Sequence, residues 1–271
     1  MRVWFLPLAV LGLLVPMQSA AADQPQLHMR SAGSGKRCWV LVHPFGASGR
    51  FWEKRAPGLA ERHRVRIYYP DLPSHGLSTM TTDFNYEMAT DALQAALRDI
   101  CPKPAVVIGG SSGGIIGMKL ATRTHARAIG VGVGWSFNDA DVKDLVDSGE
   151  HPSAGFRDYL VHFAEQGPAQ VDLMLKFAKG LAAIGTGPLF NEKEARALRG
   201  RLLVIHGDAD DFFFNPSTAK LVQMIPGTQL YRFPGPGHLE PFRDPYAPVT
   251  WTLIDRFGET GTIGGTAPLP N

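Results

Sequence analysis

Four short runs of this chain are apolar without alternation, and each stops at a glycine-, proline- or aspartate-bearing loop. They are "CWVLVHPFG" (38–46), "AVVIGG" (105–110), "AIGVGVGW" (128–135) and "RLLVIHGD" (201–208). A strand wet on one face alternates apolar and polar residues, whereas an uninterrupted run marks a strand buried on both faces. Two further strand candidates are "RVRIYYP" (64–70) and "TQLYRFPG" (228–235). Helical spacing fills the gaps, in "FWEKRAPGLAERH" (51–63), "NYEMATDALQAALRDI" (85–100), "GGIIGMKLATRTHA" (113–126) and "YAPVTWTLIDRFG" (246–258). Strands and helices that alternate in this way predict an α/β class fold: a mainly parallel, doubly wound sheet covered on both faces.

The rhythm fails once. Residues 137–199 hold no convincing strand, but "FRDYLVHFAEQ" and "QVDLMLKFAKGLAAIG" have helical periodicity. We read 137–199 as a helical lid insertion over a core made of 23–136 and 200–258, the alternative being two ordinary crossover helices. Residues 259–271, rich in Gly and Pro, read as a loose tail.

The chain's beginning is not read as fold. Arg2 precedes an apolar stretch broken by Pro7 and ended by Pro16, and Ala20-Ala21-Ala22 offers a small-residue cleavage site. This is the pattern of a secretory signal peptide over 1–22. The apolar run is shorter than the ~20 residues of a spanning helix, which weighs against an uncleaved anchor and leaves no membrane span after cleavage. The expectation is an exported protein, periplasmic or secreted. A formal net charge of +2 and the lack of any basic block exclude nucleic acid as the expected partner.

The chemistry gathers where the strands stop. In open parallel sheets, ligands collect at the carboxyl ends of strands. One candidate strand ends at His43-Pro44-Phe45-Gly46, another at Gly109-Gly110-Ser111-Ser112-Gly113-Gly114, a third at Gly207-Asp208-Ala209-Asp210-Asp211 and a fourth near His238. A serine hydroxyl is a poor nucleophile until a base takes its proton, and the base in turn needs a carboxylate to orient it. Serine, aspartate and histidine arrive here in that order at one sheet edge. The pattern G-x-S-x-G fits twice, centred on Ser111 or on Ser112, and local sequence leaves both registers open.

These landmarks, "LVHPFGASGRFW", "DLPSHGLS", "GGSSGG", "HGDADDF" and "GPGHLEPF", resemble those of the α/β-hydrolase superfamily of serine hydrolases, in its lid-bearing, esterase-like branch. The resemblance runs from about Cys38 to Gly258. It implies Ser111 as nucleophile, because related sequences carry a second glycine three residues after it, and Gly114 stands there. It implies Asp210 as the acid, in the Gly-x-x-Asp slot counted from Gly207, ahead of Asp208 and Asp211. It implies His238 as the base. The backbone N–H groups of Phe45 and Ser112 would hold the oxyanion. The family's usual glycine after His43 is Pro44 here, and since proline has no N–H, the donor role rests on Phe45.

The same fold sets the two cysteines, Cys38 and Cys101, at or before the amino ends of neighbouring strands. That arrangement allows a disulfide, which export would preserve; two buried thiols are the alternative. Apolar residues expected to line a substrate pocket are Trp135, Phe137, Phe163, Met174, Phe177 and Phe213. His43 and His75 are read as loop-orienting, and His206 as packing. No spacing suggests a metal site or a phosphate cradle, and no cofactor is implied. The expected partner is a small-molecule substrate, a small to medium apolar ester or lactone. Thioester, peptide, perhydrolysis and carbon–carbon chemistries stand as alternatives on the same fold, with a non-catalytic binding protein behind them.

Overall fold

The computed structural model describes residues 24–213 and 215–264. The expected signal peptide (1–22) and the last part of the expected tail (265–271) lie outside the described residues. Seven strands form one sheet: β1 (Ser31–Ala32), β2 (Arg37–Val42), β3 (Val65–Tyr68), β4 (Val106–Gly110), β5 (Arg127–Val131), β6 (Leu202–Gly207) and β7 (Gln229–Phe233). Their order is β1-β3-β2-β4-β5-β6-β7. Every pairing is parallel except that of β1, a short edge strand that sequence reading missed, with β3.

The uninterrupted apolar runs have a direct cause. Along β2, Trp39 and Leu41 enter one core while Val40 and Val42 enter the other. Along β6, Leu203 and Ile205 share the first core, and Leu202 and Val204 the second. With both faces dry there is no position for a polar residue. Helices α1 (Ala56–His63) and α9 (Ala247–Thr260) cover the first face through Leu59, Leu253, Ile254 and Phe257. Helices α2 (Tyr86–Leu97), α3 (Ser112–Thr124) and α8 (Asn215–Met224) lie on the second, with Leu93, Ile115 and Leu221 buried. Burying one such side chain stabilises the fold by about 1.5–3 kcal/mol.

Between β5 and β6 the chain is helical: α4 (Asp139–Glu150), α5 (Ala154–Phe163), α6 (Pro168–Leu181) and α7 (Glu192–Leu198). Sequence periodicity had pointed to α5 and α6 alone. In α4, "DADVKDLVDSGE" buries only Asp141 and Leu145, so it shows no broad apolar stripe; an Asn138 capping box fixes its start instead. The turn between α5 and α6 is stitched to the core. Arg30 Nη2 donates to both oxygens of Glu165 at 2.7 and 2.9 Å and also lies 3.4 Å from buried Asp71. The Gln170 side chain donates to the carbonyls of Ser74 and Gly76.

Two sequence expectations meet the structure elsewhere. Cys38 and Cys101 are bridged, with Cα atoms 6.0 Å apart. The tail is not loose from 259 onward: α9 runs to Thr260, and Ile263 packs on the first core while its N–H donates to Gln229 Oε1 at 2.6 Å. Glycine content suggested a free segment, but one apolar side chain and one buried-side acceptor are enough to pin it.

Candidate active site

The carboxyl ends of β2, β4, β6 and β7 bring the expected residues to one edge of the sheet. Strand β4 delivers Ser111 at φ 51°, ψ −127°, a region that costs a non-glycine residue about 1–3 kcal/mol. The main chain around it enforces this. The Ser111 N–H donates to the Val131 carbonyl at 2.8 Å. A Cβ on Gly109 would stand 2.2 Å from the Gly113 carbonyl oxygen, and a Cβ on Gly113 would stand 2.3 Å from that of His43. The glycines that touch are therefore those two before and two after Ser111. Ser112 is already the first residue of α3. The sharp strand-to-helix turn is centred on Ser111, the register that the sequence alone left open.

Asp210 follows β6 and is 4% exposed. Its Oδ1 accepts from the Phe212 and Phe213 N–H groups at 3.0 and 2.9 Å. Its two oxygens lie 3.0 and 2.9 Å from His238 Nδ1. Burial alone would raise the Asp210 carboxyl; the His238 hydrogen bond and charge, with the two amides, outweigh it and hold the group below the usual carboxylate range. The Asp208 side chain lies outside this arrangement, in an ion pair with Arg232. Gly132, at φ +60°, passes beneath the pair, where a Cβ would lie 3.1 Å from the His238 ring. His206 sits behind Asp210, fully buried, 3.7 Å from its Oδ2 and 3.3 Å from Thr218 Oγ1. Burial lowers its pKa, so it stands as a neutral neighbour.

Phe45 follows β2. The Tyr159 hydroxyl donates to its carbonyl at 3.3 Å, and Gly46 (φ +76°) leaves room for Leu160 and Tyr159 against the loop. His43 is fully buried; its Nε2 accepts from the Leu72 N–H at 2.9 Å and its Nδ1 faces the Pro44 carbonyl at 2.9 Å. His75 caps the Pro73 carbonyl and meets the Phe45 ring edge-on. Both histidines hold loops together, as expected.

Ser111, Ser112, Phe45 and His238 line one cavity of about 670 Å³. The six expected pocket residues do not line it, and this corrects the sequence reading. Phe213 stacks on Phe137 beneath Asp210, Phe177 stacks on Phe84, and Met174 is 3% exposed. Trp135 packs on Phe190, and Phe163 on Phe51 and Tyr159. The most apolar side chains of these segments are spent in packing, so the cavity wall falls to more amphipathic residues. Apolar Leu145, Phe156, Tyr159, Leu181 and Phe212 form part of it, together with Asp144 and Asp147 of α4 and Asp211. Tyr86 also faces it. Of these, Phe212 had a sequence signal, two residues past Asp210; the α4 residues had none once that helix was missed. Among the described residues, no group of three His, Cys, Asp or Glu side chains is arranged to hold a metal ion, and no helix is long and apolar enough to cross a membrane.

Comparison with known proteins agrees with this fold. The sequence pattern of the alpha/beta hydrolase family matches residues 39–250. The magnesium-chelatase 30 kDa subunit of Rhodobacter capsulatus is 39% identical over 95 residues, covering 34% of this chain and 33% of that protein. The biotin biosynthesis bifunctional protein BioHC of Cellvibrio japonicus is 30% identical over 186 residues, 69% of this chain and 33% of that protein. The chain thus spans about a third of the length of these two relatives. A thermophilic esterase from Thermogutta terrifontis has the same fold, with a TM-score of 0.65 at 18% identity over 90% of this chain and 97% of that one. With the strand order, the turn at Ser111 and a family pattern that covers most of its length, the chain belongs to the alpha/beta hydrolase family.

Proposed function

We propose that this chain is a serine hydrolase that cleaves a small to medium, apolar, uncharged carboxylic ester or lactone through an acyl-enzyme on Ser111. One observation carries the reading. Ser111 occupies a strained turn on the same cavity as His238, and the far nitrogen of that histidine is held by a buried aspartate. With Nδ1 bonded to Asp210, Nε2 is the nitrogen free to act as base.

In the first step the Ser111 Oγ bonds to the substrate carbonyl carbon, and its proton passes to His238 Nε2. The carbonyl oxygen becomes an oxyanion, held by the Phe45 and Ser112 N–H groups. The start of α3 at Ser112 adds the helix dipole. Collapse breaks the bond to the alcohol oxygen, which takes the proton from His238; with a lactone the alcohol stays tethered to the acyl group. Water then attacks the acyl-enzyme by the same relay, giving the acid and restoring Ser111. Asp210 stays ionised and balances the imidazolium.

The wall of Phe45, Phe156, Tyr159, Leu181 and Phe212 favours an apolar substrate. No Lys or Arg stands among the lining residues, whereas Asp144, Asp147 and Asp211 do, which disfavours anionic acyl groups. The name of the Thermogutta relative, an esterase, points the same way. Residues 137–199 act as the lid in this reading. The signal-like sequence pattern at 1–22 and the Cys38–Cys101 bridge support export to an oxidising compartment, to be checked by sequencing the amino terminus of the mature protein. The central test is a fluorophosphonate probe with a panel of p-nitrophenyl esters and lactones. Wild type should label once, and Ser111→Ala not at all. Labelling that persists in Ser111→Ala and vanishes in Ser112→Ala would move the nucleophile to the neighbouring serine.

A further inference from the structure

One pair of hydroxyls beside the reacting centre has no part in the scheme above. Tyr86 Oη and Ser112 Oγ lie 3.2 Å apart. Both residues are 6% exposed, and both line the cavity that holds Ser111 and His238. Their positions are fixed from two directions. Asn85 caps α2 by accepting from the Met88 N–H at 2.9 Å, which sets Tyr86 as the first residue of that helix. Ser112 is the first residue of α3, directly after the turn.

A proton count gives the pair its interest. Two hydroxyls bring two O–H donors, and their mutual hydrogen bond uses one. Among the described residues neither hydroxyl has a second protein partner. One donor is therefore left over, in a buried position on the cavity wall. An unused donor so placed is costly unless substrate or water accepts from it. Ser112 also fixes where that acceptor would be. Its main-chain N–H and its Oγ are carried on one Cα, and Ser112 and Tyr86 line the same cavity as Ser111 and His238, so an oxygen bound to that N–H is the acceptor closest at hand for the pair. Burial pushes the Tyr86 phenol up to about 12, against the opposing hydrogen bond from Ser112, so the phenol keeps its proton across the working range.

We propose that the Tyr86–Ser112 hydroxyl pair is a third oxyanion donor, adding one side-chain O–H to the two backbone N–H groups of Phe45 and Ser112. This deepens the serine-hydrolase reading and rests on it. A donor aimed at charge that develops only in the transition state lowers the barrier without tightening substrate binding. Ser112 then acts twice, through its amide and through its hydroxyl.

The test is kinetic. Tyr86→Phe, Ser112→Ala and the double variant are compared with wild type on one p-nitrophenyl ester, with active sites counted by fluorophosphonate labelling. A hydrogen bond to an oxyanion is expected to give a loss of about tenfold to hundredfold in kcat for each single variant, with KM little changed. The double variant should be no worse than the poorer single one, because either change dissolves the same pair. The KI of a trifluoromethyl ketone, which forms a charged adduct on Ser111, should rise in parallel with the fall in kcat. Full labelling with unchanged kcat in Tyr86→Phe overturns the pair's role and leaves the hydrolase reading intact. A loss confined to KM, or a fall in Tm without loss of kcat per labelled site, overturns it equally, since packing alone would give that. No labelling and no turnover in wild type overturns both.

Discussion

At the residue scale, the adjacent serines have unequal surroundings. Ser111 holds a positive φ between Gly109 and Gly113, which could not carry a Cβ, while Ser112 sits in ordinary helix. Ser111→Ala should abolish turnover, whereas Ser112→Ala keeps its main-chain N–H and should retain activity within about a hundredfold of wild type. Asp210→Asn offers a second check. An amide in that place, with its oxygen held by the Phe212 and Phe213 N–H groups, would present NH₂ to His238 Nδ1 and favour the wrong tautomer. The expected loss in kcat is about 10⁴-fold with little change in Tm. This acid shows what was legible and what was not. The sequence placed three aspartates after one strand, and the family resemblance ranked them; the two amides and the histidine ring mark Asp210 as the one turned inward. Tyr86 had no such signal, because an aromatic residue at a helix start reads as core.

At the element scale, the central strands were legible because burial on both faces leaves a pattern in the sequence, and α1, α2, α3 and α9 because each has one apolar stripe; the two-residue edge strand β1 and helix α8 were missed. The helical segment between β5 and β6 was only half legible. α5 and α6 show broad stripes, whereas α4 sets only Val142, Leu145 and Val146 at helical spacing among five acidic residues, a stripe too narrow to stand out in the sequence, and it meets the cavity with Leu145, Asp144 and Asp147. The aromatic residues expected in the pocket are instead spent in packing, Phe177 on Phe84, Phe163 on Phe51 and Phe213 on Phe137. How this helical segment is held is a matter of tethers. Arg30 bridges Glu165 and buried Asp71, the one cation between two carboxylates, with side-chain exposures of 16%, 18% and 0%. Arg30→Met would leave two partly or fully buried carboxylates without their cation, and should destabilise the protein by about 3 kcal/mol. Urea unfolding measures the loss, and limited proteolysis should show cleavage near 164–167 before the core is cut. Glu165→Gln, which keeps a hydrogen-bond acceptor and removes one charge, should cost less.

At the scale of the whole molecule, acid should weaken the fold in a defined window. Burial holds His43 down to about 4 and His75 down to about 3, the charge of His43 adding to the latter. Above the ordinary histidine value of about 6.5, both are neutral folded or unfolded, and their contribution is fully present. Below it the unfolded chain takes up protons that the folded chain refuses, so stability should fall from about pH 6.5, the His43 part until about pH 4 and the His75 part until about pH 3. His63 works in the opposite sense. Burial lowers it, but Asp255 and Glu259 outweigh burial and raise it, so its contribution is present below about 6.5 and is lost as pH rises through its folded value. Urea midpoints at closely spaced pH values check both limbs, and His63→Gln should remove only the upper one.

The Cys38–Cys101 bridge closes a loop with a sequence separation of 63, around α1, β3 and α2. Chain-entropy arguments give such a closure about 4 kcal/mol, or a Tm about 10 °C higher than that of the double Cys→Ser variant. The bridge has another consequence, for a chain that meets proteases. The exposed stretch around Leu77 and Met80 lies inside the bridged loop. A single cut there leaves two polypeptides joined through sulfur, with both halves of the central sheet still in register. The nicked protein should therefore run as one band on a non-reducing gel and two on a reducing gel. It should also keep its fluorophosphonate labelling until a reductant is added, so in an oxidising medium a peptide-bond break need not end the molecule's working life.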